Sequence, residues 1–113
     1  MATASVEVLT TAVETGSGYW AKFDRIVRDD QAFVTSVRVI EDGTRIDGGG
    51  AFSKFVEGQH IEQAVDAIRS GKVNVSRLIA GQFVGWETDE YEVDAIGADV
   101  ALQIAVFGEI KYG

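Results

Sequence analysis

Residues 94–108 read DAIGADVALQIAVFG, and the fold turns on how this stretch is read. Asp94 suits a helix N-cap and Gly108 a helix terminus, so a helix is expected between them. Ile96, Val100, Ile104 and Phe107 make one stripe, yet Ala98, Ala101, Leu102, Ala105 and Val106 are apolar too. Only Asp99 and Gln103 are polar, and four residues apart they can hydrogen-bond along the helix. A helix apolar on nearly every side is either central to the core or packed against a second copy of the chain.

Just upstream, residues 86–94 (WETDEYEVD) crowd Glu87, Asp89, Glu90, Glu92 and Asp94 around Tyr91. As a calcium loop the run fails: starting at Asp89, Tyr91 and Val93 stand where ligands are required and Asp94 stands where glycine is. A magnesium site would need a phosphate-bearing substrate and an element to hold it, and no such element is visible. Two readings remain. One is a solvated connector drawn toward the positive N-terminus of the last helix. The other is a negative surface shown to a basic partner through Glu87, Asp89, Glu90, Tyr91, Glu92 and Asp94.

The rest of the composition narrows the classes. The chain has 113 residues, 46% of them hydrophobic, which fits a single globular domain. Net charge is −8, and between residues 84 and 113 seven acids stand against Lys111, so −6 of that charge sits in the last thirty residues. Such a balance argues against direct nucleic-acid binding, where Lys and Arg supply most of the affinity. With no cysteine there is no disulfide framework, thiolate nucleophile or cysteine zinc site. No stretch reaches the roughly eighteen apolar residues of a membrane helix. The N-terminus MATASVEVLT has no basic region or continuous apolar segment, so a signal peptide is not expected and a cytoplasmic location is.

Ser5 as N-cap, with Val6, Leu9, Ala12 and Val13 at helical spacing, predicts a helix over 5–15, although Val6, Val8 and Thr10 also fit a strand. Alternation from Tyr19 to Val27 and the β-branched run FVTSVRVIE (33–41) predict an antiparallel hairpin. Asp42-Gly43 leads to a third short strand at 44–47, and Gly48 to Gly50 open a loosened loop, GGGAFSKFVEG. Ile61, Ala64, Val65 and Ile68 share a helical face that ends at Gly71. Asn74 is read as the cap of a further helix carrying Val75, Leu78, Ile79, Phe83 and Trp86. The expected class is α+β: a hairpin or small three-stranded sheet packed with about four helices, all in one domain.

Chemistry-bearing motifs are thin. His60 is the only histidine and is read as structural. No Gly-x-Ser-x-Gly elbow surrounds any serine. GSGYWA (16–21) imitates a dinucleotide fingerprint but runs from helix to strand, the reverse of the order that aims a helix N-terminus at pyrophosphate. No Walker loop occurs. AVDAIRSGKVNVSRLIAGQF (64–83) resembles a segment of zinc-dependent alcohol dehydrogenases, but a cysteine-free chain of this size lacks that family's zinc ligands and Rossmann unit. No catalytic residue, metal ligand or cofactor is therefore assigned.

A broader resemblance joins the two ends. Gly18, Tyr19, Trp20 and Ala21, then Ala98, Asp99, Gln103, Phe107, Gly108, Glu109, Tyr112 and Gly113, are similar to the pattern of an uncharacterised family of small acidic proteins from bacteriophages and plasmids. The resemblance implies an origin in a mobile element and a helix before the Gly-Tyr-Trp-Ala segment. It carries no activity with it. Small acidic proteins of such elements commonly bind host machinery. The leading expectation is thus a non-enzymatic, anti-CRISPR-like antagonist whose acidic run engages a basic host protein or nucleoprotein complex. The alternative is an assembly protein that forms a homo-oligomer, a homodimer in the simplest form, through the apolar last helix, with Trp20, Phe52, Phe55 and Trp86 contributing.

Overall fold

The computed structural model describes residues 3–42 and 52–112. Its centre is the helix the sequence singled out, α4 (Ala95–Phe107), in which every residue from Gly97 to Val106 is buried. Asp94 caps it, the Oδ1 accepting from Gly97 N–H at 2.9 Å, and Gly108 ends it. Of its apolar side chains Ile96 alone is largely exposed. The all-round apolarity is accounted for within one chain, because α4 meets α1 (Ala4–Thr11), α2 (Gly58–Arg69), α3 (Arg77–Gln82) and the sheet.

The sheet has three antiparallel strands in the order β1 (Ala21–Arg28), β2 (Val34–Glu41), β3 (Ser53–Glu57). Phe23 pairs with Val39, and Val37 with Val56. Val37, Val39 and Val56 are fully buried beneath the helices. Asp24 and Arg38 pair across β1 and β2 and bind each other as an ion pair. The α+β class with a three-stranded sheet and four helices is as expected.

Several local expectations need correction. The first helix begins at Ala4, with Thr3 and not Ser5 at the cap, and continues through a π-helical turn, Ala12–Gly16, so the strand alternative for 5–15 is overturned. Tyr19 and Trp20 belong to the turn before β1, not to the strand. The short strand expected at 44–47 and the glycines 48–50 lie outside the described residues. The third strand is Ser53–Glu57, in a stretch read as a loosened loop. It was hidden because its pattern is inverted: Lys54 points inward and donates to the Ala105 carbonyl at 2.8 Å, while Phe55 faces out. Ser76, not Asn74, caps α3, its Oγ accepting from Ile79 N–H at 3.3 Å. Leu78, placed on the apolar face by periodicity, is 81% exposed.

His60 has the structural role expected of it. Its Nδ1 accepts from Glu57 N–H at 2.9 Å as half of a capping box at the start of α2.

Gly16 closes the contact between the first helix and α4. A Cβ there would stand 2.6 Å from the Ala95 carbonyl oxygen, a backbone atom that cannot turn aside. At Gly97 a Cβ would meet Gln82 Oε1, the end of a flexible side chain. Gly16→Ala should therefore cost about 2 kcal/mol in urea denaturation. Gly97→Ala should cost no more, since the flexible Gln82 side chain can move at the loss of its bond from Asp94 N–H, and alanine gains helix propensity.

Candidate functional site

The acidic run forms a short connector held from beneath. Gly85, at φ 84°, adopts a conformation that suits glycine, and its carbonyl accepts from Thr88 N–H at 3.1 Å and Glu90 N–H at 3.0 Å. Trp86 is buried below, packing against Phe83 and Tyr91, and its Nε1 donates to Glu62 at 2.7 Å. Tyr91 donates its hydroxyl to Glu7 Oε2 at 2.7 Å. Burial, then that bond to a carboxylate, pushes the Tyr91 phenol well above its ordinary range. Glu92 N–H and Asp94 N–H both bind Gln82, to the carbonyl at 3.3 Å and to Oε1 at 3.0 Å.

The six residues singled out in the run thus divide by role. Tyr91, half-buried, and Asp94, exposed but capping α4, serve as anchors, and hydrogen bonds, first from Gly97 N–H, hold the Asp94 carboxyl below its usual pKa. Glu87, Asp89, Glu90 and Glu92 are exposed. Glu87 meets Arg69 at 3.2 Å, while Asp89, Glu90 and Glu92 enter no ion pair among the described residues.

A second cluster centres on α4, just over one turn beyond Asp94. Asp99, buried in the middle of α4, accepts from Ser17 Oγ at 2.7 Å and Trp20 Nε1 at 2.6 Å on one oxygen. The other oxygen accepts from Tyr19 OH at 2.6 Å and Gln103 Nε2 at 3.0 Å. Gln103 Oε1 accepts in turn from Lys111 N–H and Tyr112 N–H, each at 2.8 Å, and Trp20 stacks on Tyr112 at 5.6 Å. Glu41 is buried nearby but bonds Lys111 Nζ at 2.6 Å and the Tyr112 hydroxyl. Of these two buried carboxylates, Glu41 has a cation and Asp99 has none among the described residues. Tyr19 turns its hydroxyl inward, and burial together with the bond to Asp99 pushes its pKa up to about 12.

The sequence offered one signal for this cluster, an Asp–Gln pair four apart in an apolar helix. Its partners Ser17, Glu41 and Lys111 gave no signal.

Next to Asp99 is a cavity of about 460 Å³, walled by Tyr19, Ile96, Val100, Ile110 and Tyr112. A larger one, about 640 Å³, is bordered by Lys54, His60 and Lys72; Lys54 Nζ and His60 Nδ1 there are already bonded within the fold. Among the described residues no group of three or more His, Cys, Asp or Glu is placed to hold a metal ion, and no helix is long and apolar enough to cross a membrane. No family model, curated protein or solved structure matches the chain.

Removing the Asp99 carboxylate leaves the buried Trp20 and Ser17 donors without an acceptor. Asp99→Ala should cost about 3 kcal/mol or more, read by urea denaturation with Trp20 emission as the probe. The tyrosine gives a second test. Because the fold holds the Tyr19 phenol protonated, its contribution to stability is complete below pH 10.0 and is lost as pH rises toward about 12. Tyr19→Phe should flatten the fall in melting temperature across that window.

Proposed function

We propose that this chain is a non-enzymatic interaction protein of mobile-element origin. It offers the acidic surface of Glu87, Asp89, Glu90 and Glu92 to a basic host protein or nucleoprotein complex. The observation that carries the reading is the anchoring of the run. Trp86, Tyr91 and the Gln82 contacts hold the connector, so the exposed carboxylates are set out on a fixed backbone. Preorganised charge of this kind loses little ordering entropy on binding, and a negative patch steers basic partners toward it. A merely solvated connector needs no buried tryptophan and no tyrosine tied to a distant helix.

An inhibitor of a nucleic-acid-binding or defence complex is the form of this function that fits both the net charge of −8 and the likeness to phage and plasmid proteins. Carboxylates spaced along an ordered surface compete with phosphates for the same Lys and Arg side chains.

The test is a tagged capture from bacterial lysate at low and at high salt, beside the variant Glu87→Lys, Glu90→Lys, Glu92→Lys. Asp89 is left in place because its φ of 59° suits aspartate better than lysine. A nucleic-acid-binding complex held at low salt, released at high salt and missed by the variant is the expected result. Undiminished capture by the variant removes the acidic run from the function.

A further inference from the structure

Three of the nine large hydrophobic side chains exposed on the described surface, Tyr19 at 58%, Ile96 at 66% and Ile110 at 37%, border one cavity, the one beside Asp99. Exposed apolar side chains gathered round a concavity mark a binding site more often than scattered ones do. Val100 and Tyr112 are also among its walls, and among the described residues no Lys, Arg or His borders the cavity. Behind it sits a buried carboxylate with no cationic partner among the described residues.

The missing cation is informative because the other buried carboxylate of this region, Glu41, has Lys111. Asp99 relies instead on four neutral donors. Its oxygens are saturated, so an incoming group would not displace them; it would feel their charge through the Tyr19 hydroxyl. That oxygen donates to Asp99 and accepts from Gln103 at 3.3 Å, and a hydroxyl has two lone pairs, leaving one to accept from a ligand. The cavity therefore combines apolar walls, two phenol rings, an open acceptor and an uncompensated negative charge.

We propose that this cavity is the anchor pocket for an arginine side chain of a basic protein partner. Arginine matches each feature. Its aliphatic stem packs on Ile96, Val100 and Ile110, its weakly hydrated planar head stacks on a tyrosine ring, and an N–H reaches the Tyr19 oxygen while the charge faces Asp99. The pocket also opens where the acidic run ends, since Ala95 and Ile96 follow Asp94 directly. The inference rests on the acidic-surface reading for the class of partner, and it adds the place where binding is concentrated: an apolar-walled pocket flanked by a charged, solvated surface.

The test uses the full chain and a hexa-arginine peptide at low salt, followed by amide and methyl chemical shifts. Saturable shifts are expected at Ile96, Val100 and Ile110 as well as across 87–92. Ile96→Trp fills the pocket from an exposed position, and Thr15→Arg, at the pocket's other rim, supplies an occupant from within the chain. Either variant, with amide dispersion showing a native fold, should lose the pocket shifts and bind the peptide about tenfold more weakly, or about 1.4 kcal/mol. Shifts confined to 87–92, with affinity unchanged in both variants, would overturn the pocket and leave the acidic surface standing. Shifts at the pocket alone would sustain it and remove the run. The absence of shifts anywhere in the wild-type protein overturns both.

Discussion

Asp99 has to be satisfied, and much of the chain is arranged to do so. A charged carboxylate in the middle of a core helix is costly unless its oxygens are fully hydrogen-bonded. The donors come from two places: Ser17, Tyr19 and Trp20 from the turn before β1, and Gln103 from the next turn of α4. Gln103 then fixes the backbone of Lys111 and Tyr112, and Tyr112 stacks on Trp20. The first turn, the last helix and the C-terminal tail are in this way tied to one side chain. The close approach of Gly16 to Ala95 follows from the same constraint, because Ser17 reaches Asp99 only if the two helices nearly touch.

The same constraint joins the two ends of the chain. Tyr19, Trp20, Asp99, Gln103, Phe107 and Tyr112 stand far apart in sequence yet share one set of hydrogen bonds and ring contacts. The cluster is therefore a lock on the fold first, and it bears on function only where it opens to solvent beside the exposed Tyr19.

The helices were legible because their apolar faces match their burial. Ile61, Ala64, Val65 and Ile68 face the core as their spacing indicates, and Asp94 and Gly108 bound α4 at the residues that cap it. β3 was not legible, since the half-buried Lys54 shares the inward face with Val56 while Phe55 faces out; only the Ala105 carbonyl, more than fifty positions away, explains why a lysine turns inward. Leu78 misled for the converse reason, because α3 is too short to bury a full stripe and has no buried residue. In the acidic run, the sequence displayed the charges but not the distinction between them. That Asp94 and Tyr91 are anchors depends on Gly97 and Glu7, which composition cannot place.

The two acidic features differ in how water treats them, and this gives the proposed encounter its order. Charges at Glu87, Asp89, Glu90 and Glu92 are exposed, so each acts over roughly a Debye length, about 8 Å at physiological salt, and is screened as salt rises. In the proposed encounter they would govern how fast a basic partner arrives more than how long it stays. Asp99 is buried behind apolar walls, where a cation's attraction is less attenuated than at the surface. An arginine seated there would lengthen the stay without changing the approach. The chain would thus separate capture from retention, with the outer carboxylates doing the first and the single inner one the second. The separation is possible because α4 places Asp94 at its solvent end and Asp99 just over one turn deeper.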